Sequence, residues 1–209
     1  MESERLRIFD EDRNPIGTAS REDVHKFGYW HVVFHCWLIS KEVGTNYIYL
    51  QLRSETKKDY PGMFDITAAG HLLADETVRD GVREIKEEIG IDLKFEELIP
   101  LGIFDYSVVR ENFIDKEIAN VFLYKTTKNL EDFNLQLEEV AGIVKAEFNE
   151  FMALWLGKKE NIKVSGFRID GEGKRILLNE YVGKERFVPH QPSFYQEINK
   201  TIKEVLLGG

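Results

Sequence analysis

The sequence predicts an α/β protein in which helices cover both faces of a mixed β-sheet, an α/β/α layering. Two observations carry this prediction. Segments rich in β-branched and aromatic residues, such as 30–40 and 46–54, alternate with segments whose apolar residues recur every three or four positions. The 209 residues are 43% hydrophobic and 31% charged, which suits one well-packed globular unit with a sizeable core.

We therefore interpret residues 1–209 as a single domain. Its core is predicted at about 30–157, with an N-terminal hairpin at 5–29 and a C-terminal elaboration at 158–209. In the N-terminal part, RLRIFD and IGTAS read as two short strands around the turn DEDRNP. Ser20 and Asp23 then have the spacing of a helix cap.

The core is predicted to begin with a hairpin of buried strands, WHVVFHCWLIS and NYIYLQLRS, joined by the turn KEVGT. FDITAAG is predicted as one further short strand. IDLKFEELIPLGIFDYSV and EIANVFLYKT are predicted as later strands, and LEEVAGIVKAEFNEFMALWL as a strand followed by a helix.

The C-terminal elaboration is predicted to be a hairpin and a helix. KVSGFRID and KRILLNEYV flank the turn GEG, and the helix covers 192–207, with Ser193 and Gln196 as a candidate capping box. Two explanations remain for the apolar face of this helix: packing on its own domain, or a subunit interface of a homodimer.

Charge and composition exclude several functions. The formal net charge is -9, and an acidic chain lacks the general cationic field that sequence-independent nucleic-acid binding requires. The longest apolar runs are too short to cross a bilayer, and the polar N-terminus does not resemble a signal peptide. The single cysteine, Cys36, lies in an apolar run and is interpreted as a packing residue. We expect a cytoplasmic protein without nucleic-acid or membrane partners.

The clearest predicted helix extends from Glu76 to Ile89. Val78, Val82, Ile85 and Ile89 recur at intervals of four, three and four residues and give it one apolar face. Gly90 follows at the position of a helix C-cap.

Three carboxylates share one side of this helix, because Glu84, Glu87 and Glu88 are related by three and four positions. Like charges at these spacings repel by ~0.2–0.5 kcal/mol per pair. They also lie in the last turns, where the helix dipole disfavours anions. Either the face is simply solvated, or a divalent cation such as Mg²⁺ reverses the sign of the interaction.

The segment GHLLADETVRDGVREIKEEIGI resembles the Nudix box, a strand–loop–helix motif of diphosphate-cleaving hydrolases. The matched positions are Gly70, Glu76, Arg83, Glu84, Ile85, Glu87, Glu88, Gly90 and Ile91. One departure is a loop shorter by one residue between Glu76 and Arg83, which leaves the roles of Glu76 and Gly70 open.

The resemblance implies a Nudix-like α/β/α sandwich and attack by water on a diphosphate joined to another group, X. By position, the metal ligands for Mg²⁺ or Mn²⁺ would be Glu84, Glu87, Glu88 and the carbonyl of Gly70. Arg83 would orient a box glutamate. The general base would be Glu88 or Glu139. The resemblance leaves the X group undefined.

Residues 8–124 also resemble type I isopentenyl-diphosphate isomerase and its nearest Nudix hydrolases, through HVVFHCWLI, LQLRSETKKDYPGMFDITAAGH and DKEIANVFLY. The resemblance implies that Arg53 and Lys57 grip the diphosphate. It further implies that His31, His71, Asp115 and Glu117 match isomerase residues that bind a metal and help protonate the alkene. We therefore assign substrate contacts to Arg53, Lys57, His71 and Glu117.

Two departures favour hydrolysis over isomerisation. Ala69 stands where the isomerase has its catalytic cysteine, and this chain keeps the full glutamate set that the isomerase box lacks. A non-catalytic ligand-binding module is the third hypothesis. Outside the motifs, His35 shares a strand face with His31, whereas His25 and His190 are predicted to be surface residues.

Overall fold

The fold is built around a long central strand that contains the apolar run VVFHCWLI. The computed structural model describes residues 4–110 and 113–208. Its strands are β1 Arg5–Phe9, β2 Pro15–Ser20, β3 Trp30–Glu42, β4 Thr45–Arg53, β5 Phe64–Asp65, β6 Ala68–His71, β7 Ile99–Arg110, β8 Phe113–Lys125, β9 Val140–Glu147, β10 Ile162–Ile169 and β11 Arg175–Val182. Its α-helices are α1 Arg21–Phe27, α2 Arg83–Ile89, α3 Phe148–Trp155 and α4 Pro192–Leu207.

The strands form one mixed sheet, as predicted. Its main path is β11-β10-β9-β4-β3-β1-β2, and β5 pairs with β4, β6 and β8 pair with β3, and β7 pairs with β8. The β3–β8 pair is parallel and places His31 opposite Glu117, while the other named strand pairs are antiparallel. β3 therefore occupies the centre, with partners on both sides.

Alternation along β3 explains why helices lie on both faces of the sheet. Val33, Trp37 and Ile39 belong to the hydrophobic cluster that contains the buried residues of α3 and α4. Phe34, Cys36 and Leu38 belong to a second cluster, which contains Ile85 and Ile89 of α2. The two clusters confirm the predicted α/β/α layering.

The predicted hairpins are confirmed. At the β3–β4 turn, Val43 and Gly44 have φ values of 47° and 86°, the left-handed conformations that a tight two-residue turn requires. The N-terminal cap is also confirmed, because Ser20 Oγ accepts a hydrogen bond from the Asp23 backbone N–H at 3.1 Å. At the C-terminal end, β10 pairs with both β11 and β9, so the hairpin extends the sheet.

Three local predictions are wrong: the start of α2, the continuity of one strand and the cap of α4. The α-helix begins at Arg83, after a single 3₁₀ turn at 80–82, instead of at Glu76. FDITAAG forms two strands, β5 and β6, which pair with β4 and β3 respectively. The capping box at Ser193 is absent, because α4 starts with Pro192 at its first position and Ser193 already lies inside the helix.

The apolar face of α4 is covered by its own chain. Phe194, Tyr195, Ile198 and Ile202 are buried in the first cluster, and the Tyr195 ring stacks on Trp155 with centroids 3.6 Å apart. Within the described ranges, no helix is both long enough and apolar enough to cross a membrane.

Candidate active site

A cavity of about 270 Å³ opens at the end of the sheet where β3, β4, β6 and β8 approach α2. Residues of all these elements line it, together with the segment that precedes α4. The residues to which the sequence analysis assigned a catalytic, metal-binding or substrate-binding role line it with the exception of Arg83, namely Arg53, Lys57, Gly70, His71, Glu84, Glu87, Glu88, Glu117 and Glu139. His31 and Glu76, which the resemblances also matched, are not among the lining residues.

The three glutamates of α2 differ strongly in exposure. The Glu87 side chain is 53% exposed and that of Glu84 is 12% exposed, whereas Glu88 as a whole is only 6% exposed. Glu88 Oε2 accepts a hydrogen bond from the Ala69 backbone N–H at 2.9 Å. A Cβ atom at Gly70 would overlap the Glu84 carboxylate. A side chain at position 70 would therefore displace the Glu84 carboxylate from its present position.

Arg83 lies among three carboxylates. Its Nε and Nη2 donate to Glu76 at 2.6 and 2.9 Å, and its Nη1 donates to Glu84 at 2.6 Å and to Glu87 at 3.1 Å. Glu76 also accepts from the Leu73 backbone N–H at 2.7 Å. Despite the shortened loop, Glu76 therefore contacts the arginine. These contacts fit the orienting role that the box implies for Arg83, which stays a prediction.

The environment of the two buried carboxyl groups of α2 disfavours their charged forms. Burial, together with the nearby Glu87, raises the pKa of Glu84 to about 7 in spite of Arg83. Burial, together with Glu84, raises the pKa of Glu88 well above its ordinary value. Buried carboxylates close to one another suit a hard divalent cation. The chemistry of these donors thus fits the metal that the family box implies, although the described ligand atoms of the three glutamates do not all lie within 4.8 Å of one another.

Two basic residues face these acids across the cavity. Lys57 Nζ forms an ion pair with Glu139. Arg53 Nη1 donates to Asp65 Oδ2 at 2.9 Å, and Arg53 Nε and Nη2 donate to the Asp59 carbonyl oxygen. The predicted phosphate-binding pair and the predicted glutamates therefore line the same cavity.

A second group of possible ligands lies beside the first. Ligand atoms of His31, Asp115 and Glu117 lie within 4.8 Å of one another, and so do those of His25, His31 and His71. Among the residues that the structure describes, no such compact group includes the box glutamates. The four residues matched to the isomerase metal site are thus brought together.

Two histidines contradict the sequence interpretation. His25 and His190 were predicted on the surface, but His25 is buried and only 9% of the His190 side chain is exposed. His25 stacks on Phe113 with centroids 4.8 Å apart and lies 3.5 Å from Asp115, and His190 lies 3.1 Å from Asp65. Their partners are distant in sequence, so local periodicity carried no signal for them.

The cysteine prediction is confirmed. Cys36 is fully buried among the residues that pack against α2, and burial raises the pKa of its thiol. Ala69, at the position of the isomerase cysteine, lines the cavity instead.

The layered fold and the carboxylate-rich cavity at the end of its sheet agree with the Nudix class that the sequence motif indicates. No protein-family model matches the chain. The chain is, however, 38% identical over 204 residues to an uncharacterized Nudix hydrolase of Clostridium acetobutylicum, which covers 98% of this chain and 99% of that protein. The chain belongs to the Nudix hydrolase family.

Other relatives agree with this family. Nudix hydrolase 3 of Arabidopsis thaliana is 31% identical over 85% of this chain, although the match spans only 23% of that protein. Isopentenyl-diphosphate Delta-isomerase of Salmonella paratyphi B is 27% identical over 74% of this chain and 82% of that enzyme. The isomerase resemblance noted in the sequence is thus confirmed.

Solved structures support the fold. The DR0079 protein of Deinococcus radiodurans superimposes with a TM-score of 0.53 at 18% identity, covering 75% of this chain and 91% of that one. A MutT protein of Methanosarcina mazei gives a TM-score of 0.52 at 18% identity, covering 83% and 96%.

Proposed function

We propose that the chain is a Mg²⁺- or Mn²⁺-dependent pyrophosphohydrolase that cleaves the diphosphate of a small organic diphosphate with water. The observation that carries the proposal is the charge of the cavity. Among the described residues, nine acidic side chains line it, namely Glu4, Asp59, Asp65, Glu84, Glu87, Glu88, Asp115, Glu117 and Glu139. The permanently cationic residues of the same described lining are three: Arg21, Arg53 and Lys57. A diphosphate anion needs additional cations to enter this field.

The box residues are the proposed metal ligands. Glu84, Glu87, Glu88 and the Gly70 carbonyl oxygen would hold the ion, and Arg83 would keep Glu84 and Glu87 in place. What a divalent cation supplies when bound there is neutralisation of the diphosphate charge and easier ionisation of water.

We assign the general base to Glu139 in preference to Glu88. One Glu88 oxygen already accepts from Ala69, and Glu88 is almost fully enclosed, which suits a ligand. Glu139 is more exposed, with 29% of its side chain accessible, and it is paired with Lys57. It is therefore better placed to take a proton from water at the cavity rim.

The remaining residues would bind the substrate. Arg53 and Lys57 would contact the diphosphate through charge-assisted hydrogen bonds. His71 and Glu117 also line the cavity and would contact the X group.

An isomerase is the second candidate, and the compact group of His31, Asp115 and Glu117 favours it. Ala69 argues against it, because the site then lacks one of the two groups that transfer protons to the alkene. Cys36 cannot replace the missing cysteine, since its thiol is fully buried on the face of β3 that packs against α2.

The test is a hydrolysis screen with Mg²⁺ and Mn²⁺ over nucleoside diphosphate sugars, dinucleotides, nucleoside triphosphates and isopentenyl diphosphate. We expect release of phosphate or a nucleoside monophosphate that depends on the metal. E139Q should lower kcat by about 100-fold or more with unchanged metal affinity, whereas E88Q should weaken metal binding.

E138Q is the matched control, because Glu138 neighbours Glu139 but is exposed to solvent. Equal turnover in E88Q, E139Q and wild type would reject the mechanism. Saturable binding without turnover would indicate a ligand-binding module, and solvent deuterium exchange into isopentenyl diphosphate would indicate an isomerase.

A further inference from the structure

Arg53 and Asp65 are neighbours because of strand pairing. Arg53 ends β4, and β5 pairs beside it with Gln51 opposite Asp65. The Arg53 backbone N–H also donates to the Met63 carbonyl oxygen at 2.9 Å. The chain thus brings an arginine and an aspartate together at the cavity wall, where their side chains are 17% and 7% exposed.

The Arg53 guanidinium is held in a fixed plane. Asp65 accepts from Nη1, and the Asp59 carbonyl oxygen accepts from both Nε and Nη2, at 3.2 and 2.8 Å. A guanidinium has five N–H donors, so these three contacts leave one donor on each Nη for a ligand. One remaining donor on each Nη allows the guanidinium to contact two oxygens of a phosphate group.

The other oxygen of Asp65 is held from the C-terminal segment. Asp65 Oδ1 accepts from the Ile66 backbone N–H at 2.9 Å and lies 3.1 Å from His190 Nε2. Although burial alone would raise the pKa of Asp65, His190 and Arg53 hold it below its ordinary value, so this carboxyl is ionised.

His190 is itself fixed by two sets of contacts. The Tyr106 ring meets it edge-on with centroids 4.8 Å apart. Two residues earlier, the Val188 backbone N–H donates to the Phe64 carbonyl oxygen and the Val188 carbonyl accepts from Tyr195 Oη, both at 2.9 Å. The segment 187–190 is thus attached to β5 next to Asp65.

We propose that Asp65 and His190 are positioning residues that orient Arg53 for the diphosphate, which makes the segment before α4 part of the active site. This inference rests on the proposed role of Arg53 in binding the substrate. A purely electrostatic role for Asp65 would have the opposite effect, because a carboxylate repels a diphosphate.

The experiment measures binding of methylenediphosphonate, a non-hydrolysable diphosphate, to the full chain in the presence of Mg²⁺ by calorimetry. D65A and H190A should each raise Kd about tenfold, a change of about 1.4 kcal/mol. R53A should raise it at least as much. D65A/R53A should bind no more weakly than R53A alone, because Asp65 acts through Arg53.

Q191A is the matched control. Gln191 adjoins His190 and donates to the Ser107 carbonyl oxygen at 3.2 Å, away from Asp65. It should bind like wild type, and melting temperatures of all variants identify any loss of folding. D65N keeps an acceptor for Arg53 and should bind within about threefold of wild type.

Four results would overturn the proposal: tighter binding in D65A, additive losses in D65A/R53A, equal weakening in Q191A and H190A, or no binding by wild type. Binding that follows the expected pattern without hydrolysis of any substrate would instead contradict the proposed function and leave the positioning role intact.

Discussion

At the scale of single residues, the site depends on carboxyl groups that are buried close to one another. Glu84 and Glu88 have raised pKa values because burial disfavours their charged forms, and the negative charge of Glu87 acts on Glu84 while that of Glu84 acts on Glu88. Their identity and register could be predicted from the sequence, because residues three and four apart on a helix necessarily share a side. Their burial could not, since it depends on β6 closing over α2.

The raised pKa of Glu84 predicts a pH-dependent stability without metal. A carboxyl whose pKa rises from 4.5 to about 7 on folding binds its proton more tightly in the folded state. Its contribution is therefore fully present below pH 4.5 and is lost as the pH rises through 7. Denaturant unfolding in a chelator should show a loss of up to about 3 kcal/mol from this group between pH 5 and pH 8.

The comparison variant is E84Q, which cannot titrate at this position. Its unfolding free energy should fall less than that of wild type over the same range, and added Mg²⁺ should stabilise wild type more than E84Q at pH 8. Parallel pH profiles for the two proteins would show that Glu84 is not the group responsible.

At the scale of elements, α2 shows where local patterns mislead. The apolar periodicity through Val78 and Val82 predicted a helix from Glu76. In the structure, however, side-chain carboxylates accept hydrogen bonds from the backbone N–H groups of this segment. The Thr77 backbone N–H donates to Asp80 at 2.8 Å, and Glu76 accepts from the Leu73 N–H. Such side-chain bonds compete with helical ones. The helix therefore starts only at Arg83, while its end at Gly90 agrees with the prediction.

Gly90 fixes the end of α2 against the following loop. Its φ is 74°, and a Cβ there would lie 2.6 Å from the Asn134 carbonyl oxygen. The Asn134 and Gln136 backbone N–H groups donate to the carbonyls of Ile89 and Glu88 at 3.0 Å. This loop leads to Glu139, so the helix end also positions the proposed base.

Replacement of Gly90 by alanine should therefore lower the free energy of unfolding by more than the strain of a positive φ alone would. Gly157 is the control, because its φ is 70° but no described atom lies within 4 Å of its Cβ position. We expect G157A to lower the unfolding free energy by about 1 kcal/mol and G90A by at least about 2 kcal/mol. Urea denaturation measures both, and equal losses would mean that contact with the loop contributes nothing.

The buried histidines mark the limit of sequence reasoning at this scale. His31 and His35 could be placed on one strand face by their spacing, and both are buried. His25 lies on a short surface helix and His190 in a polar stretch before α4. Only the packing of α1 against β8, and of the 187–190 segment against β5, reveals their partners.

At the scale of the whole molecule, the C-terminal elaboration shares the core of the sheet. Tyr195 and Ile198 of α4 belong to the same buried cluster as Trp37 and Leu50, and Val182 of β11 joins them. The hairpin and helix could be predicted from the sequence. Their contribution to the cavity could not, because it results from contacts about 125 residues apart, such as His190 with Asp65.

A shared core predicts one cooperative unfolding transition, in line with the single domain that the sequence suggests. Scanning calorimetry of the full chain should give one peak with equal calorimetric and van't Hoff enthalpies. I198A should lower the transition midpoint as a whole, since it leaves a space in the common cluster. An early separate transition in I198A would show that the C-terminal part unfolds independently.

The two faces of the central strand β3 contact different parts of the molecule. One side of β3 presents Val33 and His35 to the cavity, and the other presents Phe34, against which Gly81 packs just before α2. Substitutions on the first side would change the wall of the cavity, and substitutions on the second side would change the packing of α2. Neighbouring positions along the thirteen residues of β3 therefore answer to different demands.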